Sequence, residues 1–63
     1  MKLNGNKIEH EIVRRAMSYK DVANAAGITE RTLKQARAGA EIQPATAGRI
    51  AAALGVDVDE IIK

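Results

Sequence analysis

Apolar residues recur at three- and four-residue spacing along most of this chain, punctuated by glycine, one proline and short polar caps. That rhythm predicts helices. Ile8, Ile12, Val13, Ala16 and Met17 follow the order i, i+4, i+5, i+8, i+9, an amphipathic helix with one inward stripe. Arg14 and Arg15 fall on or near its polar side. Asn6, with Glu9 three residues on, resembles the N-terminus of that helix, so residues 1–5 read as a loosely held start.

The stretch from Ser18 to Gly39 carries the densest set of signals. Ser18 can accept from an early backbone N–H, and Asp21 three residues later supplies the acid of a near capping box. Val22, Ala23 and Ala26 then share one face. Gly27 can adopt the left-handed conformation that ends a helix. Ile28 is an apolar plug in the turn, and Thr29 caps a second helix. There Leu33 and Ala36 point inward, leaving Glu30, Arg31, Lys34 and Gln35 outside, and Gly39 stops it.

Ala40 to Pro44 forms a short connector with Ile42 as its one aliphatic residue. Pro44 suits the first turn of a further helix, where its missing N–H costs nothing. Ala47, Ile50, Ala51 and Leu54 continue that helix to Gly55. Gly48 inside it costs about 1 kcal/mol relative to alanine, which points to close backbone approach. Asp57 with Glu60 forms another capping box and starts a last short helix carrying Ile61 and Ile62. The count is five short helices and no strand, an all-α chain in which twelve alanines allow close packing.

Composition narrows the class. Sixty-three residues make one small domain, and a chain of that size buries only about 60% of its unfolded surface. Association is therefore a plausible second route to stability. The absence of cysteine excludes disulfide staples and thiolate zinc sites and fits a reducing cytosol. His10 stands alone, so no metal site is expected. The longest apolar run, Ile50 to Leu54, is far short of a membrane span, and no N-terminal signal pattern is present. The net charge of +2 is slight, but residues 1–40 carry eight bases and four acids whereas residues 41–63 carry two and four. The positive half contains the helix pair, as a polyanion-binding face requires. An ordinary mixed surface would also give this pattern.

In register, Ser18, Val22, Ala23, Ala26, Gly27, Ile28, Thr29, Thr32, Leu33 and Gly39 resemble the helix-turn-helix of the phage repressor and Cro family of bacterial DNA-binding domains. The resemblance continues through Pro44 and the ALGVDVDEI run, about nine-tenths of the chain. It implies a lambda-repressor-like fold over residues 1–63 with the helix-turn-helix at residues 18–39. The implied function is a sequence-specific transcription regulator of the repressor type, phage- or bacterium-encoded, cytoplasmic and nucleoid-associated when bound. Its partner would be double-stranded DNA with a palindromic operator, read by a homodimer without cofactor or small-molecule substrate.

In such a domain the second helix of the pair puts its N-terminal side chains against base edges in the major groove. Arg31 can donate twice to guanine, Gln35 can pair bidentately with adenine, and Thr32 can touch a thymine methyl or pack beside Leu33. Glu30 can accept from cytosine or simply complement the helix dipole. Lys34 and Arg37 fit phosphate contacts, as do Ser18, Lys20 and Thr29 beside the helix N-termini. By resemblance Tyr19 stands where the family often has a backbone-contacting glutamine; it donates to a phosphate or is only a rim aromatic. Many relatives pair a glutamate two residues before the terminal glycine with an arginine on the first helix. The corresponding places here hold Arg37 and Ile12, which implies that an apolar contact replaces the ion pair and leaves Arg37 free for DNA. Ile42, Ile61 and Ile62 are the candidate dimer contacts, or they complete the monomer core.

A reading from another class keeps the fold as a protein-interaction module, in the manner of antitoxins or bridging factors. The modest charge and Glu30 on the reading face favour it. An enzyme is not expected: there is one histidine, one serine that is already a cap, and no glycine-rich phosphate loop.

Overall fold

A computed structural model describes all residues, Met1–Lys63. The elements run α1 (Gly5–Arg14), α2 (Tyr19–Ala26), α3 (Glu30–Arg37) and α4 (Pro44–Leu54), then a single 3₁₀ turn over Val58–Glu60. The expected fifth helix is thus one turn long. Asp57 builds it as a local cap: its side chain accepts from the Asp59 N–H at 2.9 Å, and its own N–H donates to Glu60 at 3.0 Å.

The inward residues of every helix meet in one core. Ile8 and Ile12 of α1, Val22 and Ala23 of α2, Leu33 and Ala36 of α3, and Ala47, Ile50, Ala51 and Leu54 of α4 are all buried in it. The helix α2 lies against both α3 and α4, and α1 closes over α3. Four alanines at these contacts let the backbones approach, and the branched residues fill the space between.

The first five residues are not loosely held. Leu3 is fully buried in the core and forms an isolated antiparallel bridge with Ile62. The Asn4 N–H donates to the Ile61 carbonyl at 2.7 Å, and the Lys63 N–H to the Lys2 carbonyl at 3.1 Å. On the other side the Ile42 N–H donates to the Met1 carbonyl at 2.9 Å. The Met1 amino group donates to the Ile42 carbonyl at 2.7 Å and also pairs with Glu41. The cause is the scarcity of apolar surface in a small domain, where burying one leucine is worth about 1.5–3 kcal/mol.

This pairing shifts the start of α1. Its cap is Asn4, whose side chain accepts from the Lys7 N–H at 3.1 Å, and not Asn6. Gly5 is required at the first helical position because a Cβ there would collide with the Arg37 carbonyl oxygen, with the carbonyl carbon only 3.1 Å away. The N-terminus of α1 therefore abuts the C-terminus of α3.

The far end of α1 also departs from the periodicity. The helix stops at Arg14, and Ala16 adopts a left-handed φ of 53°. Its N–H donates to Val13 at 3.0 Å and the Met17 N–H to Ile12 at 3.2 Å, which closes the helix end. Val13, expected inside, is 69% exposed, and Ala16 is exposed as well. Within α1 only Ile8 and Ile12 form the inward stripe, while Met17, just past its end, packs half-buried against the core as expected.

The remaining elements follow their signals with two corrections. Pro44 occupies the start of α4, and Gly55 ends it in the left-handed region. Gly48 serves no close approach, since a Cβ there meets nothing within 4 Å. Ile61 is fully buried, so its side chain completes the monomer core and is withdrawn from any dimer contact. Ile42 and Ile62 are half-buried, with Ile42 packed against the core.

Candidate nucleic-acid interface

The helix pair is built from local rules. The Ser18 side chain accepts from the Asp21 N–H at 3.1 Å, and the Ser18 N–H donates to the Asp21 carboxylate at 3.0 Å, a complete capping box. The hydrogen bond from the Ser18 backbone holds the Asp21 carboxyl below the usual carboxylate range. At the other end of α2, Gly27 takes φ 70° and ψ 32°, and the Ile28 N–H closes onto the Ala23 carbonyl at 3.0 Å. Ile28 packs against the core and fixes the turn. Thr29 then caps α3, accepting from the Thr32 N–H at 3.1 Å and donating its hydroxyl to Thr32 at 3.0 Å.

These constraints fix the face that α3 presents. Leu33 and Ala36 are fully buried, which turns Glu30, Arg31, Lys34 and Gln35 to solvent on the opposite side. None of the four ion pairs in the chain uses Glu30, Arg31 or Lys34. An α-helix with its side chains is about 10–12 Å across, narrow enough to enter a major groove about 12 Å wide, and the eight residues of α3 offer about 12 Å of length at 1.5 Å per residue. Thr32 lies at the edge of this ridge, half-buried and holding the Thr29 hydroxyl. Ser18 and Lys20 are exposed at the start of α2.

Two expected phosphate contacts are already engaged. Arg37 pairs with Glu9 of α1 at 3.4 Å, so the interhelical ion pair is not lost. Its acid is on α1 and its base on α3, and the α1 partner is Glu9, not the Ile12 that the resemblance implied. The Tyr19 hydroxyl donates to the other Glu9 oxygen at 3.0 Å, and the Arg37 guanidinium lies 5.6 Å from the Tyr19 ring centroid. Burial, reinforced by the Glu9 hydrogen bond, pushes the Tyr19 phenol up. Arg37 and Tyr19 are therefore not free donors as expected.

Glu9 and Gly5 are the residues that sequence reasoning missed. Taking Asn6 and Glu9 as a cap pair assigned Glu9 a local role, whereas the true cap at Asn4 leaves its carboxylate for α2 and α3. The lone tyrosine next to a helix cap, with an arginine two residues before a terminal glycine, was the available signal for a shared acid. Nothing local marks Gly5, because its neighbour is the Arg37 backbone.

A helix-turn-helix family model matches residues 11–61. The chain belongs to this family. The matched span holds the whole helix-turn-helix, α4 and the final turn, and the family is one of DNA-binding regulators. No curated protein and no solved structure matches the chain. No helix is long and apolar enough to cross a membrane.

Proposed function

We propose that the 63 residues act as one DNA-binding domain of a sequence-specific transcription repressor that works as a homodimer on a palindromic operator. The observation that carries this reading is the exposed, unpaired ridge Glu30–Arg31–Lys34–Gln35 on the second helix of a helix-turn-helix. Arg31 and Gln35 read base edges, with Glu30 and Thr32 as flanking readers. Lys34 contacts a phosphate, and Ser18, Lys20 and Thr29 do so beside the two helix N-termini, Thr29 through its backbone N–H because its hydroxyl donates to Thr32. The longest dimension of the domain is 26 Å, less than the separation of about 34 Å between half-sites one helical turn apart. One copy holds one α3, so reading both half-sites takes two copies. The setting is the cytoplasm of a bacterium or a phage-infected cell, with the protein on the nucleoid.

Selection of sites from a random duplex pool tests this. The expected result is an enriched two-fold sequence, with affinity falling steeply as salt rises. Lys34→Ala should flatten the slope of log K against log salt by about 0.9. Arg31→Ala should cost about 1–3 kcal/mol at one base position and relax specificity there. No enrichment and no salt dependence would favour the protein-interaction module. The commitment of Arg37 and Tyr19 to Glu9 is the observation on that side, because it removes two phosphate donors from the surface.

A further inference from the structure

We propose that Glu9 is a positioning residue that withholds Arg37 from DNA phosphates, so that an acid on α1 sets how tightly the domain holds arbitrary duplex. The inference rests on the DNA-binding reading above. Its first support is convergence. The Tyr19 hydroxyl reaches Glu9 Oε2 at 3.0 Å, Arg37 Nη1 reaches Oε1 at 3.4 Å, and the guanidinium lies 5.6 Å from the centroid of the Tyr19 ring. A guanidinium and a hydroxyl aimed at one anion are the donors that a phosphate takes. Glu9 supplies that anion from within the chain.

The second support is place. Tyr19 is the first residue of α2, beside the Ser18 cap and exposed Lys20. The cluster thus borders the helix end at which the reading puts a phosphate. The third is exposure. Arg37 and Glu9 side chains are 47% and 43% exposed and meet at 3.4 Å, so the pair lies at the surface and adds little to folding stability. Losing the Glu9 carboxylate would free Arg37 without dismantling the core, since neither residue is buried. Arg31 and Lys34, by contrast, have no acid to restrain them.

The test is the anisotropy of a labelled random-sequence duplex, titrated over a sodium chloride series with wild type, Glu9→Gln, Arg37→Gln and the double variant. Thermal unfolding is recorded for each. Glu9→Gln should bind several-fold tighter, and its slope of log K against log salt should steepen by about 0.9, the value of one added phosphate contact. Arg37→Gln alone should leave the slope of wild type unchanged, and the double variant should return to it. A gain from Glu9→Gln that persists without Arg37 would show Glu9 acting as a plain charge and overturn the proposal. So would a slope already flattened by Arg37→Gln alone. Glu9→Asp keeps the charge and retracts the carboxylate; it should also tighten binding, and it decides the matter if Glu9→Gln does not fold. If wild type shows no salt-dependent binding, the DNA-binding reading itself fails, a result distinct from wild type and Glu9→Gln binding alike.

Discussion

Gly5→Ala places a methyl group against the backbone of Arg37, where no side-chain rearrangement can relieve it. The carbonyl oxygen lies far inside van der Waals contact distance of the new Cβ, and the carbonyl carbon is 3.1 Å away. Either α1 lifts from α3 or the last turn of α3 yields. Overpacking of this kind costs about 1–3 kcal/mol, and the helical preference of alanine over glycine returns less than about 1 kcal/mol. Because the obstacle is backbone, the cost lies at the top of that range and the net loss is about 2 kcal/mol, which at 4–8 °C per kcal/mol lowers Tm by roughly 8–16 °C. Gly48→Ala is the matched control: it is also helical, but its Cβ meets nothing within 4 Å. It should raise stability by about 1 kcal/mol. Far-UV circular dichroism during heating, with urea midpoints at constant m, measures both. If Gly5→Ala proves as stable as wild type while Gly48→Ala gains, the close approach of α1 to α3 is wrong.

Leu3→Ala should destabilise by about 2–5 kcal/mol, as for a core leucine, and urea unfolding will show it; a loss of a few tenths would restore the loose N-terminus. Ala16→Gly removes the cost of a left-handed alanine at φ 53° and should raise the stability from urea unfolding by about 1 kcal/mol. Acid weakens the fold. The Arg15 hydrogen bond holds the Glu11 carboxyl down, the Ser18 backbone does so for Asp21, and the chain amino group for Glu41. Because these folded-state values lie below the unfolded ones, their contribution is complete above the ordinary carboxylate range and disappears as pH falls through the lowered values. Urea midpoints should decline in that window, and less so in Glu41→Gln.

The helix pair was readable because its determinants are local. Ser18 and Asp21, Gly27, and Thr29 with Thr32 lie within a few residues of the groups they satisfy, and Leu33 and Ala36 fix the rotation of α3. The contacts that escaped prediction join distant parts of the chain. Leu3 is a single apolar residue without a period, and its partner Ile62 lies at the other end. Glu9 and Arg37 are 28 positions apart, and the acid sits three residues before the place where register put it. Val13 and Ala16 failed for another reason: the left-handed alanine ends α1 early, and alanine gives no warning of that conformation as glycine would. Ile61 and Ile62 are neighbours with different fates: Ile61 is fully buried in the core, while Ile62 is half-buried in the bridge to Leu3.

The claim on which the account depends is that the exposed ridge of α3 enters a duplex groove. Backbone amide shifts of the labelled protein, followed by NMR as duplex DNA is added, test it most directly. The largest changes should fall on Thr29 to Gln35 and on the first turn of α2, with the exposed side of α4 nearly silent. Shifts concentrated on α4 or on the Met1–Ile62 pairing, with α3 unmoved, would contradict it.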